Sequence, residues 1–384
     1  GPAGMDAGGA LSLAWTDLRC NRADHRALTV LLFVAAPPEG EVAGALAELT
    51  GLFPRSVVVG CSSSGEIYGQ ELSDGSLVAA VVRFEHTRLR RVSCAISSAD
   101  QSAEAGRELA GRLRDEGLSA VFTLTGGLLV NGSLYVEALD SALPREVVVT
   151  GGLAGDGDRF ERTWVIEEGV PVSGRAVAVG LYGDALRVAH GSRGGWDLLG
   201  PEREVTRAEG NVLYALDGQP ALQIYTRYLG ERASGLPATG LLFPLAIRNE
   251  EEADGLTVRT ILGVDPGQHS ITFAGDIPEG CLVRLMRANF DRLIDGAAGA
   301  AEDLDLAGYA DGPLLCVAIS CVGRRLVLGP RPRVEEEIES VGEGLPASAG
   351  LIGYYSYGEI SPLASGRCDL HNQTMTLTCF WERA

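Results

Sequence analysis

Lysine is absent from this chain: all 32 basic residues are arginine. That absence removes several chemistries together. A phosphate-binding loop needs its lysine, and a Schiff-base or pyridoxal-phosphate enzyme needs an amine nucleophile. A protein kinase needs its strand lysine. Histidine is scarce, with five residues (His25, His86, His190, His269, His371) scattered along the sequence. None stands at a telling distance from a nucleophile-elbow serine, which disfavours Ser-His-Asp hydrolysis. The eight cysteines (Cys20, Cys61, Cys94, Cys281, Cys316, Cys321, Cys368, Cys379) form no CxxC pair. A chain of 384 residues needs no disulfide staples. Cys368-x-x-His371 has metal spacing but lacks two further ligands. Neither a metal nor a cofactor is therefore expected.

Long apolar runs are missing too. The strongest, residues 27–36, is far short of the ~20 residues that span a bilayer. No signal peptide is apparent, and residues 1–4 before Met5 read as an expression scar. A cytoplasmic protein without membrane insertion is expected. Formal net charge is −19, and such a surface repels nucleic-acid phosphates and anionic lipid.

What is present is patterned apolar sequence, 46% of the chain. Strands are read at 29–35, 56–60, 120–125 and 146–150, with helices at 41–52, 102–116 and 132–143. Asn131 is placed as the cap of the third helix. Residues 77–84 and 89–96 read as strands paired antiparallel to each other, followed by strands at 165–166, 175–182 and 186–189. The Gly-rich stretch 191–204 is taken as a domain boundary, giving domains of 11–200 and 205–384. Beyond it come a helix at 220–229 and strands near 241–247, 257–262, 270–273 and 281–286. They are followed by a helix at 288–301, a strand at 314–321, a helix at 334–341, and strands at 347–355 and 374–380. The fold class is α/β in the mixed α+β sense. Two domains are expected, each with a mixed β-sheet flanked by helices, facing across a ligand cleft.

One octapeptide occurs twice. Gly60-Cys61-Ser62-Ser63-Ser64-Gly65-Glu66-Ile67 and Gly353-Tyr354-Tyr355-Ser356-Tyr357-Gly358-Glu359-Ile360 both fit G-x-x-S-x-G-E-I, and both follow a strand-like run. Each would set a Gly-rich turn and a carboxylate at a strand end, where mixed sheets build ligand sites. Glu66 and Glu359 would bind a ligand amine, or pair with an arginine such as Arg324. Cys61 would be activated by nearby amides, or simply be buried. Gly126-Gly127 is an anion-holding turn or a plain one. The Gly151–Gly157 stretch lacks G-x-G-x-x-G spacing and a following helix, so a dinucleotide site is disfavoured.

The landmarks, in order, resemble the FIST proteins, a bacterial sensory family with an N-terminal and a C-terminal FIST domain. The first is carried by Val59-Gly60-Cys61-Ser62 with Gly65-Glu66-Ile67, Thr150-Gly151-Gly152-Leu153-Ala154-Gly155-Asp156, and Gly195-Trp196. The second is carried by Cys321-Val322-Gly323-Arg324-Arg325, Tyr357-Gly358-Glu359-Ile360 and His371-Asn372-Gln373-Thr374. The resemblance implies a stand-alone small-molecule sensor without its own output module, with amino acids and related metabolites as the proposed ligands. A separate output protein of kinase, cyclase or chemotaxis type would receive the signal. Candidate ligand-binding residues are Gly60, Cys61, Ser63, Glu66, Gly152, Asp156, Cys321, Arg324, Tyr355, Ser356, Tyr357, Glu359, His371 and Asn372. The second octapeptide is the favoured copy, because its tyrosines and the donor-rich 371–374 turn surround it. The alternatives are a haem-binding gas sensor, as reported for some family members, and an enzyme with Cys61 or Cys321 as nucleophile.

Overall fold

The computed structural model describes residues 29–36, 42–248, 256–310, 312–329 and 331–383. Cys20, His25, residues 1–5 and the expected helix start at Glu41 lie outside them. The architecture is mixed α+β, as the patterning predicts.

Three strand–helix–strand units make up most of it. The first holds β1 (Thr29–Ala36), α1 (Val42–Leu52), β2 (Val57–Ser62), the hairpin β3 (Glu66–Tyr68) and β4 (Glu71–Ser73), and β5 (Val78–Phe84). The second holds β6 (Arg88–Ala95), α2 (Ser102–Leu113), β7 (Leu118–Thr125), α3 (Gly132–Ser141) and β8 (Val148–Leu153). Its hairpin β9 (Val165–Glu167) and β10 (Val170–Val172) then leads to β11 (Arg175–Tyr182). Asn131 caps α3 as expected, its side chain accepting from Leu134 N at 3.1 Å.

The third unit opens with β12 (Leu186–Arg193) and is then interrupted by a module with its own core. That module contains β13 (Asp197–Glu209), β14 (Val212–Leu216), β15 (Gln219–Pro220), α4 (Ala221–Leu229) and β16 (Leu245–Arg248). It continues with β17 (Leu256–Arg259), β18 (Ile261–Asp265), β19 (Ser270–Phe273) and β20 (Leu282–Arg287), which join the others in one eight-stranded sheet. The unit resumes with α5 (Phe290–Glu302), β21 (Leu314–Cys321), α6 (Val322–Leu328), α7 (Arg331–Glu343) and β22 (Ala349–Ser356). The hairpin β23 (Gly358–Pro362) and β24 (Cys368–His371) precedes β25 (Met375–Glu382).

Each unit sheet is built alike. A parallel pair, β1/β2, β7/β8 or β21/β22, is flanked on one side by the unit's own antiparallel strand, β5, β11 or β25. On the other side sits a hairpin borrowed from a different unit. Hairpin β3–β4 of the first unit joins β22 of the third. Hairpin β9–β10 of the second joins β2 of the first, and β23–β24 of the third joins β8 of the second. The loans run in a closed circle, so the three units are topologically equivalent.

Three glycines at equivalent positions permit this closure. A Cβ on Gly60, Gly151 or Gly353 would lie 2.3, 1.8 or 1.8 Å from the carbonyl oxygen of Val34, Thr123 or Ala318 on the preceding parallel strand. Four residues after each glycine, a backbone N–H crosses to the next unit. Ser64 N donates to Tyr355 O (2.8 Å), Gly155 N to Ser62 O (3.1 Å) and Tyr357 N to Leu153 O (3.4 Å).

The inner faces of the three sheets share one apolar core. Phe33, Phe122 and Phe380, one from each unit, meet there, with Phe122 5.9 Å from Phe33 and 6.1 Å from Phe380 between ring centroids. The outer faces pack separately under α1, under α2 and α3, and under α5 and α7.

One pairing differs from the sequence reading. β5 and β6 are adjacent in sequence but belong to different sheets: β5 pairs β1, and β6 pairs β11. The connection between them is not a tight hairpin turn. The Glu382 carboxylate accepts from the N–H groups of Glu85, His86 and Thr87 and holds the chain as it crosses from one sheet to the next.

Candidate functional site

The two octapeptides form two equivalent stations at the strand ends. Ser63 Oγ donates to Glu66 Oε1, and Glu66 Oε2 accepts from Ser76 N at 3.1 Å. Ser356 Oγ donates to Glu359 Oε1 at 2.5 Å, and Oε2 accepts from Thr374 Oγ1 at 3.0 Å and Thr374 N at 3.3 Å. Strand register turns both carboxyls inward. Glu66 stands opposite Tyr354 and Glu359 opposite Gly152, while the next residues, Ile67 and Ile360, enter the outer helical cores.

Both carboxyls are buried, at 1% and 0% exposure. Burial pushes Glu66 up from an ordinary 4.5 to about 7 and Glu359 to about 8, against the pull of their serine and threonine hydrogen bonds. At neutral pH Glu359 therefore keeps its proton. Asn372 Oδ1 and both amide atoms of Gln373, in the turn that leads to Thr374, are buried with no hydrogen-bond partner among the described residues; Ser320 Oγ is unpartnered too, but Ser320 pairs with Met375 and faces the outer core. An unpartnered buried polar group costs ~1–3 kcal/mol, so a concentration of them needs a reason.

The third station departs from the other two. The rung that holds Glu66 and Glu359 holds Val165, which stands opposite Cys61. The carboxylate is instead Asp156, on a loop between β8 and β9. It accepts from Phe160 N (3.1 Å), Glu161 N (2.8 Å), Arg162 N (2.7 Å) and the Tyr357 hydroxyl. Phe160 takes φ +54°, a strained setting for a bulky residue, and stacks on Tyr357 at 4.6 Å. The loop thus lies over the turn that follows Ser356.

Arg324 is fully buried and committed to the protein. Its guanidinium pairs with Glu337 at 2.7 Å and donates to the carbonyls of Gly194, Leu293 and Gln373. Glu337, not Glu359, is its carboxylate partner, and the Tyr355 hydroxyl donates to the same Glu337 at 2.6 Å. The neighbouring Arg325 is the one that reaches a station: it donates to Ser64 O and to Asp74 at 2.5 Å. His371 Nε2 is hydrogen-bonded to Ser361 O at 3.0 Å, and Asn372 Nδ2 donates to His371 O at 3.0 Å.

Cys61 lies against the Tyr354 hydroxyl, and burial pushes its thiol up to about 12. Burial raises Cys321 as well, with the nearby Glu359 adding to it. Neither presents a thiolate at neutral pH, the form a nucleophilic mechanism needs. Among the described residues, no group of three or more His, Cys, Asp or Glu side chains is arranged to hold a metal ion. No helix among them is long and apolar enough to cross a membrane.

The geometry defines a mixed α+β protein whose strand ends enclose two buried carboxyl groups, both raised by burial, and unpaired polar atoms. The chain belongs to the FIST family: the FIST N domain matches residues 29–219 and the FIST C domain residues 221–362. FIST domains are associated with sensing in signal transduction. An uncharacterized protein of Methanocaldococcus jannaschii is 26% identical over 314 residues, 74% of this chain. The chain spans 58% of the length of that relative. A solved cyanuric acid hydrolase from A. caulinodans aligns over 78% of this chain and 99% of its own, at 14% identity. The TM-score of that alignment is 0.19.

Two of the three stations are legible in the sequence as the repeated octapeptide. The third retains the structural glycine, Gly151, but neither the serine nor the glutamate, and its hairpin comes later by the length of the Asp156 loop. The signal it does carry is the order strand, glycine, turn, hairpin. A match of side-chain identities passes over that order.

Proposed function

We propose that this protein is a small-molecule sensor whose ligand carries an amine and docks at the Ser356–Glu359 station. The observation that carries the reading is Glu359, a buried carboxyl raised to about 8 with no cation in contact. A ligand ammonium would supply the countercharge, and the unpaired atoms of Asn372 and Gln373, in the turn beside Thr374, would take its remaining polar groups. An amino acid or a related metabolite has that chemistry. The station is closed by Tyr357 and the stacked Phe160, so entry requires the Asp156 loop to lift. Such a motion would be a signal that a separate output protein reads.

The test is a thermal-shift panel of amino acids and amines on wild type and Glu359→Gln. A stabilising ligand should raise the wild-type midpoint by mass action and leave the variant unmoved. Equal shifts in both proteins would place the ligand elsewhere.

A further inference from the structure

A separate cavity of about 320 Å³ opens beside the second unit's strand ends. Its apolar wall is Ile96 with Leu128, Leu129 and Val130, from the turn between β7 and α3. Its polar side includes Arg162 and Arg175, together with Glu161. Arg175 is tied to Glu167 at 3.1 Å. The Arg162 side chain is exposed and has no ion-pair partner among the described residues.

Three observations mark this cavity as built for a ligand. It sits at the C-terminal end of a parallel strand, where open α/β sheets bind small molecules. Leu129, a large apolar side chain left 47% exposed, lines it. The loop that forms that edge is held in a strained shape by Asp156.

We propose that this cavity is a second ligand site, distinct from the Glu359 station, that takes an amphipathic monoanion. The apolar body lies on the Leu128–Val130 wall, and the anionic head meets Arg162. The volume suits a body of roughly ten to twenty heavy atoms, at the small end of ligand pockets.

The test uses 8-anilinonaphthalene-1-sulfonate, an amphipathic monoanion whose fluorescence reports burial, with octanoate as competitor. Wild type should bind one probe molecule per chain, and octanoate should displace it. Arg162→Glu and Leu129→Asp change exposed positions and should keep the wild-type melting midpoint, yet each should weaken probe binding roughly fivefold or more. Glu161→Gln should bind as tightly as wild type or tighter. A smaller loss in either of the first two variants overturns the proposal. So does a loss in Glu161→Gln, which would mean that the carboxylate and not Arg162 holds the probe, or a failure of octanoate to compete.

Discussion

Glu359 should make this protein less stable as pH rises, and Glu359→Gln should abolish much of that dependence. The sign follows from linkage. The folded-state pKa, about 8, lies above the unfolded value near 4.5, so the native state holds a proton the unfolded chain gives up. The stabilisation is complete below about pH 4.5 and is lost progressively as pH rises to about 8. A tenfold change in proton affinity is worth ~1.4 kcal/mol, so the full loss is on the order of 5 kcal/mol, with about 3 kcal/mol gone by pH 7. Glu66, raised to about 7, adds a smaller loss of the same sign. The titratable and charged groups that face Glu359 are Arg324, Cys321 and Tyr354; of these only Arg324 favours its charged form, beside the Ser356 and Thr374 hydrogen bonds. Glutamine keeps the shape of the neutral acid. Its amide can donate to Ser356 Oγ, whose own proton can turn to Ser320 O, 3.3 Å away. Urea unfolding at pH 5.5 and 8.5 is the assay. The variant should match wild type within about 1 kcal/mol at pH 5.5 and exceed it by a few kcal/mol at pH 8.5. A difference between the two proteins that does not change with pH would mean that Glu359 does not take up a proton on folding.

Other consequences follow from the shared core and the buried ion pair. Phe122→Ala should cost ~3–5 kcal/mol and still give a single unfolding transition by circular dichroism and tryptophan fluorescence, because its partners Phe33 and Phe380 come from the other two units. Gly353→Ala should prevent stable folding, seen as loss of the cooperative melt, since the new Cβ would meet the backbone of Ala318. Arg324→Ala should cost ~3–5 kcal/mol in urea midpoint analysis by stranding Glu337 without its cation. Cys61 and Cys321 should resist iodoacetamide at pH 7.5 in the native protein and label only on denaturation, as peptide mapping would show.

The sequence made individual elements legible where burial was total. β21 reads Leu-Leu-Cys-Val-Ala-Ile-Ser-Cys, a continuous apolar run of the length of a strand buried on both faces. Asn131 announced α3 by its capping chemistry. Pairing was harder, because partners are chosen by the circular exchange of hairpins rather than by proximity in sequence. β3 and β22 are joined in one ladder although Tyr68 and Ile352, which face each other in it, are far apart in the chain. The stations were visible as a repeated octapeptide, yet Arg324 and Arg325 are indistinguishable as neighbours in sequence. Only the turn of α6 sends one to Glu337 and the other to Ser64 and Asp74. The cavity beside α3 has no side-chain motif at all. It is assembled from segments around residues 96, 126–130, 161–163 and 173–175, which meet only in the fold.

The most direct test of the account is proton release on ligand binding. The amine-bearing compound that most raises the wild-type melting midpoint should be titrated calorimetrically at pH 7.0 in phosphate and in Tris. With Glu359 near 8, binding of an ammonium beside it should release about nine tenths of a proton, and Glu359→Gln should release none. Equal proton release by the two proteins, or none from wild type, would contradict the claim that the ligand is held at this carboxyl.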